Sequence, residues 1–206
     1  MSYIATFDLI GCGVFAISGA IIAFQQRVDG IGVVVLATVT AIGGGTVRDL
    51  LLDVPVFWLH QPNYIYTIIF ASIVTILWIN SSRKIPGKSL EVADALGLAL
   101  FVVMGTEKAL SAGVPAVTAV IMGTLTGCFG GLLRDVFANQ IPLIFRKELY
   151  AVCCISGGLV YVTLLNFLSV HISAIIAFLC VLLLRLAALR WGWSIHVFKF
   201  PDHSSH

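Results

Sequence analysis

Seven long apolar segments, separated by short polar breaks, follow one another along the chain. They cover residues at about 4–24, 31–52, 63–80, 90–111, 115–138, 148–168 and 170–190. Most of them are long enough to cross the hydrocarbon core of a bilayer, about 30 Å thick, as α-helices. The pattern therefore predicts an all-α membrane protein with seven transmembrane helices, in a single membrane domain over residues 1–206.

The composition supports this prediction and excludes several classes of protein. The chain has 206 residues, 59% of them hydrophobic and 11% charged, whereas a soluble domain is about 25% charged. So few charges exclude a cytosolic globular enzyme, and the absence of a basic stripe argues against nucleic acid as a partner. Ser18 lacks the preceding glycine of G-x-S-x-G, and no histidine lies in the middle of a span. The sequence thus predicts a protein that is not an enzyme and holds no metal or cofactor.

The basic residues at the ends of the spans fall mainly on one side of the predicted membrane. Lys108 alone lies near a span end on the other side. The side with most of them holds Arg27, Arg83, Lys84, Lys88, Arg146, Lys147, Arg190 and Lys199. Because basic loops stay in the cytoplasm, this asymmetry predicts an N-terminus outside and a C-terminus in the cytoplasm.

An internal repeat divides the first six spans into two halves. Shifting the chain by 86 residues aligns 8–78 with 94–164 without gaps, and 16 of the 71 aligned positions are identical. We place repeat 1 at about 4–80, repeat 2 at about 90–168, and an unpaired helix seven at about 170–190. Because each repeat has three spans, the second copy enters the membrane from the opposite side. The sequence therefore predicts an inverted 3+3 repeat plus one extra helix, which packs or faces lipid.

Adjacent glycines lie in the middle of the second and fifth spans. The first copy has Gly43, Gly44 and Gly45, and the second has Gly130 and Gly131. Such glycines permit a kink that exposes carbonyl groups to a permeating cation, and they also permit close packing of helices. We favour bent or unwound helices at 43–45 and 129–131 that face one cavity, because both copies carry charges three residues later.

Charged residues inside the spans recur in both repeats. They are Asp8, Arg48 and Asp49 in the first copy and Asp94, Arg134 and Asp135 in the second. Neighbouring side chains diverge by about 100° around a helix, so we do not expect either arginine to pair with the aspartate that follows it. Matched depth instead places Arg48 near Asp8 and Arg134 near Asp94, in two clusters on opposite sides of the glycines. Charges inside a membrane indicate a functional site, although such ion pairs also lock helices together.

Two threonines share a helix face with the glycines. Thr38 precedes Gly45 by seven residues, and Thr124 precedes Gly131 by the same number. Their hydroxyl groups suit the path of a weakly hydrated cation, or they bond back to their own helix. The six charged groups inside the two repeats sum to −2, which favours cations.

Three segments resemble the bacterial branch of the trimeric intracellular cation channel (TRIC) family. They are AIGGGTVRDLLLDVPVFWL, GCFGGLLRDVFANQIPLIFRKELYA and DALGLALFVVMGTEKAL. The resemblance implies a homotrimer in the bacterial inner membrane, with membrane lipids around it and one pore inside each protomer. It also implies conduction of monovalent cations, K⁺ or Na⁺, past kinked helices two and five that carry the glycines. The second copy departs from the motif at Phe129 and Leu132, which implies a narrower or more apolar inner half.

Two other functions stay open at this point. Relatives with the same glycine-rich repeat are linked to uptake of small amino acids such as glycine, so a secondary transporter is the alternative to a channel. Inverted repeats and broken helices serve both functions. A purely structural membrane protein is the least favoured, because it leaves the paired charges without a use beyond packing.

Overall fold

A computed structural model describes residues 3–82, 87–146 and 149–193, and every regular element in these ranges is helical. Four of the basic residues on which the predicted orientation depends lie outside these ranges, namely Arg83, Lys84, Lys147 and Lys199. The seven α-helices are α1 (Tyr3–Gln25), α2 (Gly30–Leu51), α3 (Asn63–Ser82), α4 (Ser89–Ser111), α5 (Ala116–Phe137), α6 (Tyr150–Leu164) and α7 (Val170–Trp191), with a short 3₁₀ turn at Leu143–Phe145. The predicted all-α fold with seven helices is confirmed.

Six of the helices are long and apolar enough to cross a membrane, and α6 is shorter. Its 15 residues extend about 22 Å, less than the hydrocarbon core. The predicted span of 148–168 was too long, because the apolar residues Leu165, Phe167 and Leu168 continue the pattern after the helix ends. Backbone hydrogen bonds from Phe167 and Leu168 to the carbonyl of Leu164 form a turn there.

The helix ends show the repeat at the level of the backbone. After α2, Asp53 has a left-handed φ of 52°, and after α5 the equivalent Asn139 has a φ of 53°. The next amide in each copy bonds back into the helix, from Val54 to the Asp49 carbonyl at 3.0 Å and from Gln140 to the Asp135 carbonyl at 2.8 Å. The same cap therefore turns the chain in the same way 86 residues later.

The two repeats pack around a central group of four helices, α1, α2, α4 and α5. In each repeat the third helix lies outside, with α3 against α1 and α2, and α6 against α4 and α5. The first helices of the two copies meet at Phe15 and Phe101, whose ring centres are 5.1 Å apart. The unpaired α7 covers α4 and α6. The predicted inverted repeat is thus the organising feature of the fold.

Candidate ion pathway and its two charged clusters

The middle of α2 contacts the middle of α5 through backbone atoms. A β-carbon at Gly44 would overlap the carbonyl oxygen of Thr126, and one at Gly130 would overlap the carbonyl oxygen of Thr40. Both helices are continuous α-helices through the glycines. Of the bent or unwound helices that we expected at 43–45 and 129–131, the unwound form is therefore wrong, and Gly44 and Gly130 instead allow the close approach of two helices.

The neighbouring glycines make room for side chains. A β-carbon at Gly45 would lie 2.6 Å from the Phe57 ring, and one at Gly43 would lie 2.6 Å from the Leu133 side chain. Gly131 faces polar atoms, because its β-carbon would lie 3.0 Å from Asp94 Oδ1 and 3.2 Å from the Tyr150 hydroxyl.

The predicted threonines bond to their own helices. Thr38 Oγ1 donates to the Val34 carbonyl at 2.7 Å, and Thr124 Oγ1 donates to the Val120 carbonyl at 2.9 Å. Of the two expected uses of these hydroxyl groups, the structure shows the bond back to the same helix. Each hydroxyl oxygen keeps its lone pairs as acceptors.

On one side of the glycine crossing, a group of polar side chains surrounds Arg134. We define the Arg134 cluster as Ser18, Asp94, Arg134, Asp135 and Tyr150, all of them buried. Arg134 Nη1 donates to Asp94 Oδ1 at 2.8 Å and to Ser18 Oγ at 2.6 Å. One guanidinium group thus links α5 to both α4 and α1, and the predicted pair of Arg134 with Asp94 is confirmed.

On the other side, the Arg48 cluster consists of Asp8, Arg48, Asp49, Phe57 and Lys108. Arg48 Nε and Lys108 Nζ both lie 2.8 Å from Asp49 Oδ1, and the amide of Phe57 donates to Asp49 Oδ2 at 2.9 Å. Arg48 interacts electrostatically with Asp8. Among the described residues, however, neither Asp8 Oδ1 nor Nη1 or Nη2 of Arg48 has a hydrogen-bond partner. Neither a hydrogen bond nor an ion pair within 4 Å therefore joins Arg48 to Asp8, and their expected pairing stays a prediction.

Both arginines also pair with the aspartate next to them, contrary to our expectation. Arg134 Nε donates to Asp135 Oδ1 at 2.8 Å, as Arg48 Nε does to Asp49. The expectation considered only the directions of the β-carbons, whereas the long arginine side chain bends around the helix to its neighbour. Each aspartate then binds a backbone amide eight residues later, at Phe57 or Leu143. The Arg-Asp pair therefore also fixes the loop after its helix.

Two sequence differences separate the otherwise equivalent clusters. Ser18, which binds Arg134, corresponds to Met104 in repeat 2. Lys108, which binds Asp49, corresponds to Ile22 in repeat 1. Arg134 is consequently bound from two other helices. Arg48 shares its aspartate with Lys108, and within the described ranges both of its terminal nitrogens are without a hydrogen bond.

Sequence reasoning missed Tyr150 and Arg185. Arg185 is fully buried in α7, and its guanidinium carbon lies 4.6 Å from the centre of the Tyr150 ring, beside the Arg134 cluster. A single arginine within a long apolar run was the available signal. It was not used, because α7 has no partner in the repeat.

A cavity of about 630 Å³ lies away from the crossing, between the ends of α1 and α3 and the start of α2. Ala20, Arg27, Val33 and Asn80 are among its lining residues, and none of the residues that line it belongs to either cluster. This cavity is therefore no direct route between the Arg48 and Arg134 clusters.

Comparison with known proteins agrees with the internal repeat. The sequence model of a family described as glycine transporter matches the chain twice, over residues 5–80 and 91–166. The two matches begin 86 residues apart. The chain belongs to the glycine transporter family.

Relatives of this glycine transporter family member occur in several bacteria. The inner membrane protein YadS of Escherichia coli K12, from the group UPF0126, is 43% identical over 199 residues, which cover 95% of this chain and 96% of YadS. A UPF0126 membrane protein of Vibrio cholerae is 44% identical over 193 residues, which cover 93% of this chain and 81% of that protein. With its long apolar helices, the chain is accordingly a multi-pass bacterial membrane protein.

A solved structure links this glycine transporter family member to the TRIC channels. The trimeric intracellular cation channel orthologue from Rhodobacter sphaeroides matches with a TM-score of 0.87 and 35% identity, covering 94% of this chain and 100% of that one. The resemblance to the TRIC family that the three sequence segments indicate is therefore confirmed.

Proposed function

We propose that the protein is a passive channel for monovalent cations, K⁺ or Na⁺, with one pore inside each protomer. The observation that carries this proposal is the similarity to the Rhodobacter sphaeroides cation channel, which extends over nearly the whole of both chains. The pore would follow α2 and α5. It would run from the Arg48 cluster past the glycine crossing to the Arg134 cluster.

The positions that we assign to this path come from both repeats. They are Gly43, Gly44, Gly45, Gly130, Gly131, Thr38, Thr124, Asp8, Arg48, Asp49, Asp94, Arg134 and Asp135. At the crossing, Gly44 and Gly130 pack against carbonyl groups of the facing helix. Because one added carbon atom would already overlap these carbonyl groups, conduction would require α2 and α5 to move apart there.

The assembly and orientation follow from similarity and charge. The related Rhodobacter sphaeroides channel is trimeric by name, and we propose a homotrimer in the inner membrane. The N-terminus would lie outside and the C-terminus in the cytoplasm, because Arg27, Lys88, Arg146 and Arg190 then face the cytoplasm. Apolar side chains exposed on α3 and α7, such as Phe70 and Leu183, would contact lipid or neighbouring protomers.

A secondary transporter for a small amino acid such as glycine is the second candidate. The description of the matching family favours it. An inverted repeat with charged groups on both sides of a central contact is also the architecture of many transporters. In that case the two repeats would open alternately instead of forming a continuous pore.

Flux measurements on reconstituted protein separate the two candidates. Vesicles that contain the purified protein would be tested for passive K⁺ efflux and, in parallel, for uptake of labelled glycine, with protein-free vesicles as the control. A channel predicts K⁺ efflux that increases with the K⁺ gradient and does not depend on glycine. Saturable glycine uptake without K⁺ efflux would reject the channel and support the transporter.

A further inference from the structure

The loop between α1 and α2 holds an arginine in an unusual backbone conformation. Arg27 has a left-handed φ of 55°. Its amide donates to the Phe24 carbonyl at 3.0 Å, and the next amide, of Val28, donates to the Ala23 carbonyl at 3.0 Å, so both bonds close the end of α1. Glycine is the usual residue at this position of a helix end, because it has no β-carbon that the conformation would strain.

The other repeat does have glycine at the equivalent position. Gly113 lies 86 residues after Arg27 and has a φ of 84°. Its amide donates to the Leu110 carbonyl at 2.9 Å, and the amide of Val114 donates to the Ala109 carbonyl at 3.4 Å. These hydrogen bonds are equivalent to those around Arg27, so the turn itself needs no side chain at this position. Arg27 thus carries a conformational cost that the fold does not require, and such a cost points to a use for its side chain.

The side chain of Arg27 borders the cavity of about 630 Å³ between α1, α2 and α3. Within the described ranges, Arg27 is the one charged residue that lines this cavity, and Gln25 and Asn80 add neutral amide groups. Most of the other lining residues are apolar, among them Phe24, Val33, Ile76 and Ile79. The cavity therefore combines one positive group with an apolar wall.

Arg27 has no acidic partner among the described residues. None of the ion pairs in the part of the chain that the structure describes involves Arg27. The nearest carboxylate along the chain, Asp29, does not line the cavity, and its Oδ1 accepts the amide of Gly32 at 2.9 Å at the start of α2. The guanidinium group of Arg27 is therefore available to an anionic ligand.

The depth of the cavity in the membrane limits the choice of that ligand. Beside the cavity, α1 ends at Gln25, α2 begins at Gly30, and Asn80 lies in the last turn of α3. The ends of spanning helices lie where the hydrocarbon core meets the lipid headgroups. A free phosphate ion would leave the apolar wall uncovered. A zwitterionic lipid would bring an ammonium group, for which the described lining offers no carboxylate. An anionic phospholipid fits both the charge and the wall.

We propose that this cavity binds one anionic phospholipid per chain. The phosphate group lies on the guanidinium group of Arg27, the polar headgroup meets the amides of Gln25 and Asn80, and one acyl chain follows the apolar side at Phe24 and Ile76. The proposal does not depend on whether the protein is a channel or a transporter, because none of these residues belongs to the Arg48 or the Arg134 cluster.

Native mass spectrometry of the delipidated full-length protein tests the proposal, because each bound lipid adds its own mass. Phosphatidylglycerol and phosphatidylcholine with identical acyl chains are the probes, and glycerol phosphate is the soluble competitor. Phosphatidylglycerol should bind at least about fivefold more tightly than phosphatidylcholine, which is the effect of about one basic contact. Equal binding of the two lipids would overturn the proposal. Displacement of phosphatidylglycerol by an equal concentration of glycerol phosphate would do the same, because the site would then recognise phosphate alone.

Two substitutions of the same kind locate the site. Arg27→Gln should weaken the binding of phosphatidylglycerol at least about fivefold. Arg190→Gln is the matched control and should leave binding unchanged, because Arg190 is also exposed, lies in the last turn of α7 and does not line the cavity. Equal weakening by both substitutions would indicate a general attraction between basic residues and anionic lipid and would overturn the site. Unchanged binding in Arg27→Gln would overturn it as well.

A third substitution, Arg27→Gly, separates lipid binding from folding. It places in repeat 1 the residue type that repeat 2 has at Gly113, so the variant should melt at no lower temperature than the unmodified protein in lipid-free detergent. Phosphatidylglycerol should raise the melting temperature of the unmodified protein, and Arg27→Gly should lose this increase. A lower melting temperature without lipid would show that Arg27 serves the fold itself and would overturn the proposal, as would an undiminished increase with lipid.

Discussion

Arg134 and Asp94 form an ion pair of 2.8 Å between α5 and α4, whereas Arg48 and Asp8, at the equivalent positions of the other repeat, make no hydrogen bond to each other. The two repeats thus share a backbone arrangement and a set of charged residues but differ in how their charges are paired. As a result, Arg134 on α5 is hydrogen-bonded to both α4 and α1. In the Arg48 cluster, Asp8 Oδ1 and both terminal nitrogens of Arg48 lack a hydrogen-bond partner in the part of the chain that the structure describes.

The two aspartates should therefore differ in their contribution to stability. Asp94→Asn removes a charge from a buried ion pair, which we expect to lower the free energy of unfolding by about 3 kcal/mol. Asp8→Asn should cost less than about 1 kcal/mol, because Asp8 Oδ1 has no hydrogen-bond partner among the described residues and removing a buried charge also removes its desolvation penalty. Thermal unfolding of both variants in one detergent measures the difference. Equal losses of stability would contradict the asymmetry between the clusters.

The glycine crossing should not tolerate even one additional carbon atom. In Gly44→Ala the methyl group would overlap the Thr126 carbonyl and push α2 away from α5, and such overpacking costs about 1–3 kcal/mol. Gly30→Ala is the matched control, because a β-carbon at Gly30 meets no atom within 4 Å. The melting temperature and the yield of assembled protein are the measurements. A Gly44→Ala protein as stable as Gly30→Ala would show that the helices do not touch here.

Removal of the Arg48 charge should change conduction more than folding. The one hydrogen bond that Arg48 makes among the described residues is to its neighbour Asp49, which keeps Lys108 as a partner. Arg48→Gln would leave one positive charge fewer beside the proposed path, so we expect a higher single-channel K⁺ conductance. Arg146→Gln, at an exposed position outside the path, is the control. Unchanged conductance in folded Arg48→Gln protein would remove Arg48 from the pathway.

The orientation of the chain is testable with reporters fused to its C-terminus. Because most basic residues at the span ends lie on one side, we expect a cytoplasmic C-terminus. A fluorescent protein fused there should fluoresce in cells, and an alkaline phosphatase that folds only in the periplasm should stay inactive. The reverse pair of results would invert the proposed topology.

The sequence predicted those features that depend on hydropathy and on position along the chain. The ends of α2, α4 and α5 lie within one residue of the predicted segments, because polar or turn-forming residues follow each of them. The repeat placed Arg134 near Asp94, because depth in the membrane follows from the order of residues along antiparallel helices. Both predictions need only the order and the hydropathy of the residues along the chain.

Features that depend on side-chain rotamers and on contacts between helices were not predictable in this way. The pairing of Arg48 with Asp49 depends on how a long side chain bends, and the use of Gly44 depends on which helix lies opposite it. The burial of Arg185 depends on how α7 is rotated around its axis. An apolar run on both sides of the arginine contains no information about that rotation.

Current through a planar bilayer tests the central claim, a passive path for monovalent cations inside each protomer, most directly. With the purified protein in the bilayer and a tenfold KCl gradient across it, the account predicts discrete current steps in the absence of glycine. It also predicts a reversal potential that approaches about 59 mV, with the sign expected for K⁺. Absence of steps from protein that is folded and assembled, or a reversal potential with the sign expected for Cl⁻, would contradict the account.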